Sequence, residues 1–599
     1  MKPYANLTIR ARTYVRRTMS AGAVSVVLPL LVISCAAPTG DERQPNTIVV
    51  GAGLAGLSAA VEMGNHGVPV LVLDMNSVAG GHAVLAGGVT MVGTPVQELA
   101  GIADTPALAY EDWRGWTEDG DPEWTRLYAS ESRRMIYDWV TDMGVEFVRV
   151  APGHGNSVPR FHFTSGRAVH LVMPIFRTAL RLPTVSFRFN SRVDGLLFEN
   201  GRVAGVAYTD LRTGQKSEIR ADNVVLATGG FENDLDRVRQ NWMPGTPLPE
   251  RLLSGAAPSA NGSGHDMAAA AGAGMKWMDR HYIYVNGLPD PRDPAGRHAL
   301  TAGNDLSLWV NANGRRFTNE TGFDKDILVD LLRQEGNTYW AVFDARGREG
   351  FSVRGAAWLN TPGDRHPVLD DPRLAVTAGS LEKLAEAAGL PPDALVSSVQ
   401  RFNELIERGT DDDFHRFSER AGAPEPVTVP PYYAVRLFPM TRKSMGGVAI
   451  DGNARVLRPN GEPVPGLFAI GELTGSVGIN GQHGLDGMFL GPAILTGRLA
   501  GQSISADYAS ANTAGAATLL PVDTEAAATD VTGPDLSEET LRQLLSVNRD
   551  GYWHFRVSHE LVLERHYECG TCHSSQVPYA APDGRAGYLA QSAICTNCH

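Results

Sequence analysis

The chain has 599 residues, 43% of them hydrophobic and 20% charged, enough length and apolar content for two or three domains with filled cores. Its 53 basic against 66 acidic side chains give a formal charge of −13, which argues against a general affinity for nucleic acid, whose binding rests on excess positive charge. Only five cysteines are present, and four of them crowd into the last stretch, so their spacing says more than their number.

In chain order, residues 1–34 come first. Arg10, Arg12, Arg16 and Arg17 stand there without an acidic neighbour, and the apolar run AGAVSVVLPLLVIS that follows is too short to span a bilayer comfortably. The pattern predicts an export signal, and Arg16-Arg17 ahead of the apolar run also allows twin-arginine export. The run ends in LVISC, which is similar to the lipobox of bacterial lipoproteins, so Cys35 is expected to carry an acyl anchor on the periplasmic side of a bacterial membrane. A buried cysteine at a transmembrane end is the alternative. Residues 35–45 read as a polar tether.

The next segment, NTIVVGAGLAGLSAAVEMGNHGVPVLVLD, reads as strand, helix and strand: TIVV, a helix over 54–64, and VPVLVLD. Gly51, Gly53 and Gly56 fill a G-x-G-x-x-G pattern at the first strand-to-helix turn. The first glycine permits the tight turn, the second lets backbone approach a pyrophosphate, and the third lets helix and strand pack closely. The helix N-terminus then faces the phosphates, and Asp74 ends the second strand where a carboxylate meets a ribose hydroxyl. A dinucleotide site is predicted, with NAD and FAD both open at this point. Two later strands run into glycines in the same way: ADNVVLATGGF, ending in Gly229 and Gly230, and PGLFAIGELTG, which contains Glu472.

Together with VAGGHAVLAGG, NGSGHDMAAAAGAGM, VNANGRRFTNE, SMGGVAID and GLDGMFLGPAILTGRLAG, these segments resemble the flavoprotein subunit family of fumarate reductases and succinate dehydrogenases, which includes flavocytochromes c and 3-ketosteroid dehydrogenases. The resemblance covers about 46–506. It implies FAD and an α/β fold, a Rossmann-like FAD-binding domain in two parts (46–277 and 426–508) with an inserted α+β cap at 278–425. It also implies FAD contacts from Gly51, Gly53, Ala55, Gly56, Asp74, Gly80, Gly81, Gly87, Gly88, Gly229, Gly230, Glu472, Gly491 and Pro492. Pro492 suits a helix start, and that helix would aim its N-terminus at the flavin, favouring the negative charge that develops on hydride transfer. Within the cap, LEKLAEAAGLPPDALVSSVQRFNELIERG predicts two amphipathic helices broken at Pro391-Pro392.

Residues 509–548 read as a linker rich in small residues, and 549–599 as a separate tail. CGTCH supplies Cys569, Cys572 and His573; CTNCH supplies Cys595, Cys598 and His599. C-x-x-C-H is the attachment pattern of c-type haem, with two thioethers and the adjacent imidazole under the iron. Two covalent haems are therefore expected, and His554, His559 and His566 are candidates for the opposite axial positions. A zinc ribbon and a pair of disulfides are the rival uses of four cysteines. The ribbon spacing fits less well and leaves both histidines without a purpose. A membrane or periplasmic protein would exchange electrons with the tail.

Substrate chemistry is the least legible part. Fumarate reductases place an arginine after the NGxRFxNE cap motif, where this chain has Gly322 and Phe323; their HHTMGG becomes RKSMGG, with Arg442 and Lys443; and their late carboxylate-binding arginine corresponds to Gly484, beside His483. The ending GMFLGPA is closer to the ketosteroid dehydrogenase branch, where a tyrosine stands near the place of His483. The resemblance thus implies a small organic substrate other than fumarate, with hydride exchanged at an activated C–C bond. His483 is a candidate general acid or base, and Arg442, Lys443, Tyr282 and Tyr284 are candidate anion binders or proton donors. An electron carrier with no organic substrate is the reading from another class.

Overall fold

The computed structural model describes residues 45–322, 324–354, 368–417 and 424–515. The predicted export signal, Cys35, most of the linker and the whole cysteine-bearing tail, with Cys569, Cys572, His573, Cys595, Cys598, His599 and His554, His559 and His566, lie outside the described residues, as does Phe323.

Short apolar runs build the first sheet. Thr47–Val50 and Val70–Leu73 are buried at every position, as befits parallel strands covered on both faces. Six strands lie in the order Arg455–Leu457, Pro463–Ala469, Asn223–Leu226, Thr47–Val50, Val70–Leu73 and Val185–Arg188; the first pair is antiparallel and the rest are parallel. The register, Thr47 opposite Asn223 and Val70, and Val50 opposite Leu226 and Leu73, continues through both neighbouring parallel strands and brings the carboxyl ends of five parallel strands to one edge. In such sheets that edge is where ligands bind.

The helix Leu54–Asn65 follows the first strand, one residue longer than its sequence pattern indicates. It is pressed against the strand: a Cβ on Gly56 would lie 2.0 Å from the Gly51 carbonyl oxygen. The last helix among the described residues, Leu490–Gly515, packs on this one, and it continues into the first residues of the predicted linker. Glycine again sets the distance, because a Cβ on Gly497 would stand 2.4 Å from the Ala55 carbonyl oxygen. A buried ion pair, Arg498 Nε to Glu62 Oε2 at 2.7 Å, ties the two helices.

The second sheet has eight strands, ordered Leu308–Val310, Tyr339–Phe343, Tyr432–Ser444, His281–Pro289, Ala299–Gly303 and Ser352–Arg354, with Leu253–Ser254 and Ala375–Ala378 also paired to Tyr432–Ser444. The long strand Tyr432–Ser444 is hydrogen-bonded in this sheet, although it lies past residue 425, where the sequence pattern ends the cap. The helices Leu381–Ala388 and Pro392–Arg408 flank the predicted break, the first ending at left-handed Gly389 and the second starting at Pro392. Their apolar faces, with Leu384, Leu395, Val399 and Phe402, bury against Leu308, Val342 and Ala434.

The NGRRFTNE motif has a structural task in this sheet's periphery. Arg316 donates to Glu320 at 2.8 Å and to Asp411 at 2.9 Å, and the Arg416 guanidinium lies 3.4 Å from Glu320. All four side chains are nearly or wholly buried.

Candidate active site

The turns that follow the parallel strands converge on one cleft. Gly51 and Gly53 come after Thr47–Val50, Asp74 after Val70–Leu73, Gly229 and Gly230 after Asn223–Leu226, and Gly471 and Glu472 after Pro463–Ala469; all line the same cavity, together with Ala55, Gly80 and Gly81. Asp74 braces the first turn: Oδ2 accepts from the Ala52 N–H at 2.6 Å and Oδ1 from the Asn76 N–H at 2.7 Å. Burial pushes its carboxyl above the ordinary value. Gly56 sits behind the turn and shapes it. Gly491 packs under the Tyr128 hydroxyl, and Pro492 stands in the first turn of the last helix.

The cleft fits a pyrophosphate-bearing cofactor. The first helix is capped by Gly53 with no side-chain hydrogen bond, leaving its N–H groups aimed at the cleft. A Cβ on Gly53 or Gly229 would meet nothing within 4 Å, so these backbones face open space. The Thr228 hydroxyl lines the cleft, is buried, and has no hydrogen-bond partner among the described residues, a donor ready for a ligand oxygen.

Lys443, with Phe489 and Leu490 beside it, joins this cleft to a second, larger cavity. Lys443 lines both; its Nζ lies 3.1 Å from His82 Nδ1 and 3.4 Å from Glu472 Oε2. Burial lowers its pKa against the opposing pull of Glu472. Glu472 Oε1 also accepts from the Ser444 N–H at 3.1 Å.

The second cavity, of about 700 Å³, is lined by Gly87, Gly88, Tyr282, Tyr284, Arg442 and Lys443, with Phe489 and Leu490 at its border with the cleft. That Arg442 and Lys443 both line it is a product of the strand pairing. Neighbours on a regular strand point to opposite faces, but the register jumps from Tyr282 opposite Lys443 to Ile283 opposite Thr441, leaving Arg442 as an extra residue in a bulge. Tyr282 and Tyr284, two apart, share a face with ring centroids 5.1 Å apart in an edge-on pair. Arg442 donates to the Gly255 carbonyl, and its guanidinium lies 5.8 Å from the Tyr284 ring.

The structure therefore brings Arg442, Lys443, Tyr282 and Tyr284 together and places His483 elsewhere. His483 lines a neighbouring pocket of about 310 Å³ with Trp116, His154, Arg280 and Lys325. Its Nε2 is 3.2 Å from Glu118 Oε1, and burial, then the Lys325 charge, hold its pKa below the ordinary value. Tyr282 and Gly484 are the partition: a Cβ on Gly484 would stand 2.9 Å from the Tyr282 ring. Gly322 turns against Asn319. Sequence reasoning passed over His82, Thr228 and the buried pair Glu232–His281. His82 had a signal in its place directly after Gly80-Gly81, whereas the others acquire meaning only through tertiary neighbours.

The family model described as FAD binding domain matches residues 46–490. A KsdD-like steroid dehydrogenase of Mycobacterium tuberculosis is 32% identical over 544 residues, 77% of this chain and 96% of the relative. A fumarate reductase (cytochrome) of Shewanella frigidimarina is 32% identical over 473 residues, 78% of this chain and 78% of its own. The open conformation of a flavocytochrome c3 fumarate reductase superposes with a TM-score of 0.65 at 27% identity, covering 78% of each chain.

Proposed function

We propose, from the premise that this chain belongs to the FAD binding domain family, that it is an exported flavocytochrome c whose substrate is a small carbonyl compound with an activated C–C bond. The protein is an FAD-dependent oxidoreductase of the fumarate reductase and 3-ketosteroid dehydrogenase type. Bound FAD supplies hydride exchange on one side and single-electron exchange on the other. The second role suits two c-type haems on the C-x-x-C-H motifs of the tail, facing a membrane or periplasmic partner and held near the membrane by Cys35.

The observation that carries the substrate reading is the cavity joined to the dinucleotide cleft at Lys443. Its wall holds Tyr282, Tyr284, the bulge-presented Arg442, Lys443, Arg149 and Arg167, while the resemblance puts Gly322 and Phe323 where fumarate reductases have the cap arginine and Gly484 where they have the late one. A ketone needs one hydrogen-bond donor at its oxygen and an apolar surface for its carbon frame, which Tyr284, Arg442, Tyr282 and Phe489 provide. In this reading Tyr284 holds the substrate oxygen and the proton exchanged with it, Arg442 favours negative charge there, and Lys443 anchors the wall through Glu472 and His82. The names of the steroid dehydrogenase relatives point to the same class.

Anaerobic mixing of the FAD-loaded protein with cyclic ketones, steroids, enoic acids and fumarate tests the substrate. Ketones are expected to change the flavin absorbance and fumarate to leave it unchanged; the reverse pattern would refute the assignment, and no response to any compound would favour a pure electron carrier. Tyr284→Phe is expected to slow the ketone reaction by about 10²-fold or more with little change in KM, the size of a lost proton donor. The tail is tested separately by pyridine haemochrome staining of the denatured protein made in a host that matures c-type cytochromes. Two haems per chain are expected, falling to one in Cys569→Ser/Cys572→Ser; a colourless band would leave the zinc-ribbon and disulfide uses of the cysteines.

A further inference from the structure

Glu232, two residues after the cleft-lining Gly230, and His281, at the pocket that holds His483, form an acid–base pair with no solvent-exposed side-chain surface, Nδ1 of the ring 2.9 Å from Glu232 Oε1. Nε2 of the same ring lies 2.8 Å from the Asn241 backbone carbonyl oxygen. A carbonyl only accepts, so Nε2 carries a proton. One further proton then occupies the Nδ1–Oε1 contact; held on Nδ1, it makes the ring a cation and leaves Glu232 a carboxylate with room for one more proton at Oε2. The ring has no freedom to turn, since Trp242 stacks on it at 6.1 Å and Phe231 meets it edge-on at 5.7 Å. The other carboxylate oxygen, Glu232 Oε2, is buried with no hydrogen-bond partner among the described residues. That is an expensive condition for a charge and an inexpensive one for a carboxylic acid.

The pair is wired to the cleft by short contacts. His281 is paired with Ser444, and Tyr282 with Lys443, in adjoining strands; the Ser444 hydroxyl accepts from the Phe231 N–H at 3.0 Å, and the Thr441 hydroxyl donates to the Glu232 carbonyl at 2.6 Å. The charged groups facing Glu232 are His281, Glu472 and Lys443, and those facing His281 are Glu232 and Asp279. Burial pushes the Glu232 carboxyl above its ordinary value. Burial would lower His281, but the Glu232 charge and hydrogen bonds prevail and raise it.

We propose that Glu232 is an internal proton-binding group whose occupancy follows the charge of the flavin site: when two electrons enter the bound flavin, one proton passes from solvent to the Glu232 carboxylate and no other bond changes. Negative charge arriving next to Lys443 and Glu472 raises the proton affinity of a carboxylate held in the same low-dielectric wall. Glu232 is a positioning residue here, acting through Lys443 and Glu472 and touching no substrate. The proposal rests on bound FAD and on no assignment of substrate or haem.

Electrochemical reduction of the FAD-loaded full chain tests it, because neither substrate nor electron partner is needed and failure is separable from failure of the ketone reading. With a pH indicator in weak buffer, the native protein is expected to bind about one proton per flavin more than Glu232→Gln, one titrating site being the whole difference. In the reduced-minus-oxidised infrared spectrum of the native protein, the carbonyl band of a carboxylic acid is expected to grow and to shift in D2O. Equal proton uptake in the two proteins would overturn the proposal. So would a native spectrum without a growing carboxylic-acid band, a measurement that needs no variant.

Discussion

Gly56→Val is expected to give a chain that is purified without flavin and unfolds at lower denaturant than the native protein. Any Cβ at position 56 lies 2.0 Å from the Gly51 carbonyl oxygen, 3.1 Å from Val49 Cγ1 and 3.2 Å from the Ala227 Cβ. None of these can yield locally: the first is backbone in the glycine turn, and the other two belong to the central strand of the parallel sheet and to the turn after its neighbour. Helix Leu54–Asn65 must therefore move outward, against a last helix that is itself in backbone contact through Gly497. Overpacking of this kind costs about 1–3 kcal/mol. The loss of binding is the larger effect, because the N–H groups at Gly53 and Leu54 leave the helix terminus that would hold a pyrophosphate. Flavin absorbance per mole of protein and urea unfolding measure the two effects separately. A Gly56→Val protein with full flavin content would show that the turn does not hold the cofactor.

Arg316→Met is expected to destabilise the cap by about 3–5 kcal/mol, the usual cost of removing one partner from a buried ionic group. The substitution keeps volume and leaves Glu320 and Asp411 facing each other with Arg416 alone for compensation. The Arg316 guanidinium also lies 4.9 Å over the Phe402 ring and 4.9 Å over the Phe414 ring, so the loss combines the broken ion pairs with two cation–π contacts. The pH dependence has a definite sign. Although burial opposes it, the Arg316 hydrogen bonds and charge hold the Asp411 carboxyl below its ordinary 3.8. A carboxyl depressed in the folded state stabilises fully above the unfolded pKa and loses that contribution as pH falls through the folded one. The native protein's advantage over Asp411→Asn is thus expected to be constant near neutrality and to shrink below pH 3.8. Urea unfolding followed by hydrogen exchange in the segment 381–408 would reveal it; an advantage that grows on acidification would contradict the assigned role.

The cofactor cleft was legible in the residue order because its determinants are local. Gly51, Gly53 and Gly56 lie within one turn, Asp74 ends the next strand, and Gly229, Gly230 and Glu472 follow runs of buried β-formers whose only stable arrangement is side by side. The break at Pro391-Pro392 was equally plain, since proline and glycine punctuate helices through their own backbones.

The substrate side was not legible in this way. Arg442 and Lys443 share a cavity only because the long strand Tyr432–Ser444 slips against His281–Pro289, and a bulge is a property of two strands meeting, not of either sequence. His483 is parted from them by the Tyr282 ring lying on Gly484, a contact between positions about two hundred residues apart. Glu232 reads as one more charged residue after a glycine pair until His281, Lys443 and Glu472 close around it. Backbone propensity and spacing act over a few residues and therefore fix turns, helix ends and the phosphate cradle; which side chains share a cavity, and which protons are trapped, depends on desolvation and register, and these exist only once distant segments are packed together.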